Sequence, residues 1–145
     1  MGGSVLQNDF LKLIYNTTAI TGLARDAAVP FTDLYVALHS ADPGDAGDQT
    51  TSEISYTTYA RVAVARSAAG WTVTDNQVTN AAAIAFATPS AGTATATHFS
   101  VGVAASGASK ILHRGKLTSA LSISAGVPIS FAIDKLVITI ATVIV

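Results

Sequence analysis

The chain contains no cysteine. That excludes a disulfide framework and any thiolate-bound metal, and it leaves the redox compartment unread. Charge is also scarce. Asp, Glu, Lys and Arg make up 12% of the 145 residues, against about 25% in an average soluble domain. A soluble monomer ordinarily needs more charge than this on its surface. Either Thr, Ser and Ala cover the fold, or part of the surface is buried against other chains. The eight basic residues are scattered and the net charge is −1, so there is no basic stripe to neutralise phosphates, and no nucleic acid partner is expected. Long hydrophobic runs are missing too. The C-terminal "LVITIATVIV" is about half the roughly 20 residues that a membrane helix needs, and its β-branched content points to a strand. The opening "MGGSVLQND" lacks the charged and apolar regions of a secretory signal. No membrane partner is expected.

What is present reads as one helix followed by strands. In "NDFLKLIYNTTA", Asn8 or Asp9 can cap a helix over about residues 8–19, and Gly22 can end the segment. Phe10, Leu13 and Ile14 fall at i, i+3, i+4 and form one apolar stripe, expected to pack on a sheet. From Pro30 onward β-formers dominate. "DLYVALHS" sets Leu34, Val36 and Leu38 against Tyr35, Ala37 and His39 with period two. "YARVAVAR", "WTVT", "AAAIAFAT", "HFSVGVAA", "KILHRGKLT", "LSIS", "VPISFAI" and "KLVITIATVIV" continue the series, broken by Asp75-Asn76, Pro89 to Gly92, Ser106 to Ala108 and Ala125-Gly126. "TPSAGTATAT" reads as a loop entering a strand. The expected fold is therefore mainly β: a single antiparallel β-sandwich or jelly-roll-like domain over 1–145, with about eight strands between about residues 33 and 145 and one N-terminal α-helix.

Chemistry is concentrated in one place. The loop "HSADPGDAGDQTTSE", His39 to Glu53, holds Asp42, Asp45, Asp48 and Glu53, four of the nine acidic residues. Counted from Asp42 as a calcium loop, Gly47 takes the glycine position and Glu53 the bidentate position. Gly44 and Ala46, however, stand where side-chain oxygens are required, and no helix flanks the loop. The reading is a polar surface loop, with Asp42-Pro43-Gly44 as its turn. His39, His98 and His113 are widely separated, with no metal-ligand spacing. No Gly-x-Ser-x-Gly elbow, phosphate loop or carboxylate pair occurs outside the acidic loop. Asp9, Asp26, Asp33, Asp75 and Asp134 read as caps and turns. No catalytic residue, cofactor or metal is expected. Trp71 reads as a core or interface anchor rather than a sugar platform. Arg61 is a candidate to pair with an acid at a subunit contact, or else a solvated rung of a sheet.

Several stretches resemble a family of small tailed-bacteriophage virion proteins, often labelled tail fibre proteins. They are "LYVALHSADPGDAG", "YARVAVARS", "THFSVGVAASG" and "GKLTSALSISAGVPISFAIDKLVIT", spread from about Asn8 to Ile140. "LHSADP" and "SISAGVPISFAIDKLVIT" are the most specific. Ser40, Val127-Pro128 and the extension "ATVIV" depart from the family pattern. The resemblance implies a structural virion protein without catalysis.

A fibre shaft would carry heptads or repeats, and neither appears. A compact, weakly charged chain suits a capsid decoration (cement) protein on the capsid exterior, with the major capsid protein and sister subunits of a homotrimer as partners. A tail, baseplate or fibre-associated component, with or without host glycan binding, is the alternative. In "KLVITIATVIV", Leu136, Ile138 and Ile140 line one face. Val143, Ile144 and Val145 extend the apolar run with no charge or Pro to blunt a strand edge. Together with Trp71 and Arg61, these three residues are the expected interface set.

Overall fold

The computed structural model describes residues 4–19 and 31–140. One helix, α1 (Ser4–Asn16), precedes nine strands among the described residues: β1 (Asp33–His39), β2 (Val62–Ala65), β3 (Trp71–Thr74), β4 (Gln77–Asn80), β5 (Ile84–Phe86), β6 (Thr93–Gly102), β7 (Ile111–Ser124), β8 (Ile129–Phe131) and β9 (Val137–Thr139). The fold is mainly β with antiparallel sheets and one helix near the N-terminus. The sheets run β2-β1-β6-β7, β3-β4-β9 and β5-β8. Two compact units result: Met1–Asp33, Val64–Ala83 and Phe131–Val145 form unit 1, while Leu34–Ala63 and Ile84–Ser130 form unit 2.

In unit 1, α1 packs against β3 and β4. The helix starts earlier than its sequence suggests, so Asn8 and Asp9 lie inside it rather than capping it. It also ends earlier. Thr17 takes a left-handed φ of 54°, and the Thr18 N–H donates to the Lys12 carbonyl at 3.1 Å. A left-handed residue just past the last turn is a common helix stop, here supplied without glycine. Gly22, the expected stop, and Asp26 lie outside the described residues. The buried face is also rotated from the expected stripe. Leu11 and Tyr15, spaced i, i+4, are fully buried, whereas Phe10 is 48% exposed. The Tyr15 ring fixes this rotation by meeting Trp71 edge-on, with centroids 4.8 Å apart and planes at 65°, a favoured aromatic geometry.

Side chains then satisfy the backbone around that core. The Arg66 guanidinium donates to the carbonyls of Leu13, Ile14 and Phe31, two of which lie in the last turn of α1, where intrahelical partners run out. Buried Asn80 donates to the carbonyls of Ala82 (2.7 Å) and Ala132 (2.8 Å) and accepts from the Leu136 N–H (2.9 Å). It thereby fixes the approach to β9. There Leu136 and Ile138 are buried and Val137 is 45% exposed, the alternation expected of this strand.

In unit 2, β1 and β6 pair from Tyr35↔Gly102 to His39↔His98, and β6 pairs with the 14-residue β7. "TATAT" belongs to β6 and is not a loop. "KILHRGKLT" and "LSIS" lie within one strand, not two. Ala96 faces Leu121 while His98 faces Lys116, so β7 bulges over Leu117 to Ala120 and resumes pairing beyond. β4 is not legible in the sequence: four residues after a tight turn at Asp75 (φ 52°) carry too little apolar pattern to signal a strand. Tyr59 meets Tyr56 edge-on and stacks on Phe86, and Ile54, Ile84, Ile123 and Ile129 of this unit are also buried.

Replacing Trp71 by Ala is expected to cost about 3–5 kcal/mol, the range for emptying a large aromatic site. Urea unfolding followed by far-UV circular dichroism measures it, since the variant loses the chain's one tryptophan.

Candidate functional site

The β1–β6 register brings polar side chains together inside unit 2. Tyr35, Ala37 and His39 stand opposite Gly102, Ser100 and His98. His39, Ser100 and Gln49 are each fully buried, so every polar atom there needs a partner. His39 Nδ1 lies 2.9 Å from the Thr51 carbonyl and Nε2 lies 2.8 Å from Ser100 Oγ. A carbonyl only accepts, so Nδ1 carries the proton and Nε2 accepts from the serine hydroxyl. Gln49 Nε2 donates to the Tyr35 carbonyl (2.9 Å) and to Ser100 Oγ (3.1 Å). Gln49 Oε1 accepts from Ser109 Oγ at 3.0 Å. The carboxamide has room because residue 102 is glycine: a Cβ there would lie 2.2 Å from Gln49 Cδ.

Arg61 closes the network from the other side. Its Nε and Nη2 hold both oxygens of Glu53 at 2.8 Å. Nη1 donates to Gln49 Oε1 (3.3 Å) and the Ala104 carbonyl (3.1 Å), and Nη2 also reaches the Gly107 carbonyl (2.9 Å). All five N–H groups of the guanidinium are thus engaged. Glu53 Oε1 also accepts from the Tyr59 hydroxyl at 3.1 Å, and the Tyr59 hydroxyl oxygen in turn accepts the Leu38 N–H at 3.1 Å. Burial raises the Tyr59 pKa well above its ordinary value, so the phenol stays protonated. A cavity of about 220 Å³ lies over the pair, lined by Glu53, Tyr59, Arg61 and Ser106 among others. With its donors spent, Arg61 has none left to offer a ligand there.

The acidic loop is pinned to its own unit. Arg114 reaches Asp42 at 2.7 Å and Asp45 at 2.8 Å. Asp42 also accepts the Gly44 N–H at 2.9 Å, completing the turn expected at Asp42-Pro43-Gly44. That N–H, and then Arg114, lower the Asp42 pKa. Asp48 accepts from both the hydroxyl and the N–H of Thr50, which lower its pKa in the same way. Asp42 and Asp45 share Arg114, while Asp48 turns to Thr50 and Glu53 to Arg61. Among the described residues, no three His, Asp or Glu side chains converge as metal ligands would.

The expected interface residues fall in three places. Trp71 is fully buried in unit 1 and presents no surface to a partner. Arg61 is not a solvated rung, and its acid is Glu53 of the same chain, 2.8 Å away. Val143, Ile144 and Val145 lie outside the described residues. Gln49, Ser100 and Ser109 went unforeseen because no sequence spacing links them. The one available signal is His39 at the end of the apolar run Val36 to Leu38. A buried histidine needs a partner for each ring nitrogen.

A family model described as Podophage GP4 fiber I protein gp80 matches residues 4–139. No curated protein matches the chain.

Two outcomes are expected from the charges. Arg61→Met leaves Glu53 half-buried and unpaired and should cost about 3–5 kcal/mol, with the double variant Arg61→Met/Glu53→Leu recovering much of that loss. Arg114→Met, at the exposed pair, should leave the unfolding midpoint almost unchanged. Chemical denaturation of the four proteins checks both.

The histidines set a pH dependence. Burial lowers the pKa of His39, opposed by its bond to Thr51 and the nearby Glu53, and burial lowers that of His113. Each therefore protonates first in the unfolded chain. Their contribution is intact above the ordinary histidine value of about 6.5 and is lost as pH falls below it toward the folded values. The thermal midpoint should fall between about pH 7 and pH 5, and His39→Gln should flatten that slope.

Proposed function

The chain belongs to the family of the podophage GP4 fiber I protein gp80, and from that membership we propose that it serves a phage as a structural virion protein that acts by holding contacts and catalyses no reaction on an external substrate. The match over residues 4–139 carries this reading. The interior supports it. The Ser100–His39 contact is fully buried, out of reach of any substrate, and the carboxylates of the acidic loop are tied to Arg61, Arg114 and Thr50.

Within the virion, we place the protein on the capsid exterior as a decoration protein that stabilises the head. Its partners would be the major capsid protein and its own sister subunits, arranged as a homotrimer. No nucleic acid, membrane or cofactor enters this role. Two compact units and a helix of 13 residues suit a clamp on a lattice better than a shaft. The second reading, a fibre-associated component of the tail, is favoured by one observation: the family description itself names a fibre protein.

Cryo-electron microscopy of the purified virion tests the placement. Density matching this mainly β fold at capsomer junctions is the expected result, with each subunit burying on the order of 800 Å² against its neighbours. Density confined to the tail would move the protein to the second reading. Finding no copy on the virion would overturn both.

A further inference from the structure

We propose that Ser100 and Gln49 become joined by an intramolecular ester, which the chain forms by itself with release of one ammonia. Each part that such a reaction needs is present inside unit 2. The nucleophile is Ser100 Oγ, and its proton points at His39 Nε2, 2.8 Å away. His39 is held in the basic tautomer by its Nδ1–H bond to the Thr51 carbonyl at 2.9 Å, the arrangement by which an imidazole acts as general base toward a hydroxyl. The electrophile is the Gln49 carboxamide, whose nitrogen lies 3.1 Å from the same Oγ. That nitrogen donates to Oγ in the resting arrangement, so the carboxamide turns about its Cγ–Cδ bond to present its carbon to the hydroxyl, and glycine at 102 leaves it room, since a Cβ there would lie 2.2 Å from that carbon.

The carbonyl oxygen is prepared for negative charge. Gln49 Oε1 receives the Ser109 hydroxyl at 3.0 Å and the Arg61 guanidinium at 3.3 Å. A neutral amide oxygen already has a sufficient partner in one of these. A hydroxyl and a cation together form the donor pair that stabilises a tetrahedral oxyanion. The donors are fixed beforehand, Arg61 by Glu53 and two carbonyls, and Ser109 by accepting the Val103 N–H at 3.3 Å.

The step balances without any co-reactant. Ser100 Oγ gives its proton to His39 Nε2 and bonds to Gln49 Cδ. Charge collects on Oε1. As the carbonyl re-forms, the Cδ–Nε2 bond breaks and His39 returns the proton to the departing nitrogen, which leaves as ammonia. Oxidation states do not change. Ammonia escapes and is protonated in solvent, which draws the exchange forward. The ester stays where Ser100, His39 and Gln49 are fully buried, away from hydrolytic water. The result is a covalent tie between the acidic loop and the C-terminal end of β6.

Intact-mass spectrometry of the purified full-length chain, incubated at neutral pH, tests this directly. The expected mass is that of the sequence less one ammonia, with peptide mapping linking the Gln49 and Ser100 peptides and alkaline hydroxylamine releasing them. Ser100→Ala and Gln49→Leu should keep the full sequence mass. His39→Gln and Ser109→Ala should slow the loss about 10²-fold or more, the usual effect of removing a general base or an oxyanion donor. A wild-type chain that stays at full mass overturns the proposal, as does an ammonia loss that persists in Ser100→Ala or maps to other residues. The wild-type measurement alone decides, whether or not a variant folds. It needs only the isolated protein, so its outcome is independent of where the protein sits on the virion.

Discussion

The guanidinium of Arg61 is the point on which unit 2 depends. It binds a carboxylate in the acidic loop, a carboxamide four residues earlier and two carbonyls in the β6–β7 connection. These segments are far apart in the chain, and none has a regular ladder to hold it there. A buried guanidinium is tolerable only when every donor is matched, because an unmatched one loses its hydration without return. The requirement works in both directions. The loops must be placed to satisfy Arg61, and Arg61 in turn dictates where they lie.

This arrangement changes the meaning of the low charge content. Glu53 and Arg61 neutralise each other inside the unit, and Asp42 and Asp45 share Arg114. Fewer free charges therefore face solvent than the composition suggests. What covers the outside instead is Ser, Thr and Ala, as along β7, where Thr118, Ser119, Ala120, Ser122 and Ser124 are exposed. The bulge over Leu117 to Ala120 breaks that outer strand into shorter runs, which lessens its value as a template for unwanted pairing. A weakly charged surface can thus remain compatible with a folded, unaggregated chain.

The parts legible in the sequence were those set by periodicity. β1 was read to within a residue because its alternation spans seven positions, and β3 was read outright from "WTVT" between turn residues. Patterns that depend on contacts distant in sequence were not legible. The helix face is ambiguous in the sequence because Phe10, Leu13 and Ile14 match the period as well as Leu11 and Tyr15 do. Only the presence of Trp71 on the facing strand selects the latter pair. Reading "KILHRGKLT" and "LSIS" as separate strands leaves Ser119-Ala120 between them, and these two residues lie within the bulge of a single strand. The polar interior was hidden for the same reason. Gln49, Ser100 and Ser109 are ordinary surface residue types, and their burial follows from a register that no local window contains. Arg61 was singled out, but its partner could be named only once the loop was seen to fold back over the sheet.

Unit 1 is assembled from three separated stretches of chain, and the two stretches of unit 2 lie between them. During synthesis the order matters. All of unit 2 has emerged by Ser130, so its sheets and buried network can form while the chain is still growing. Unit 1 must wait. Asn80 remains without the Ala132 carbonyl and the Leu136 N–H until those residues are made, and β4 stays unpaired on one edge until β9 arrives. Contacts that close such long loops are slow to form. The half-built unit therefore spends the translation of about fifty residues with an open sheet edge, the interval in which a chaperone or a neighbouring nascent copy could engage it.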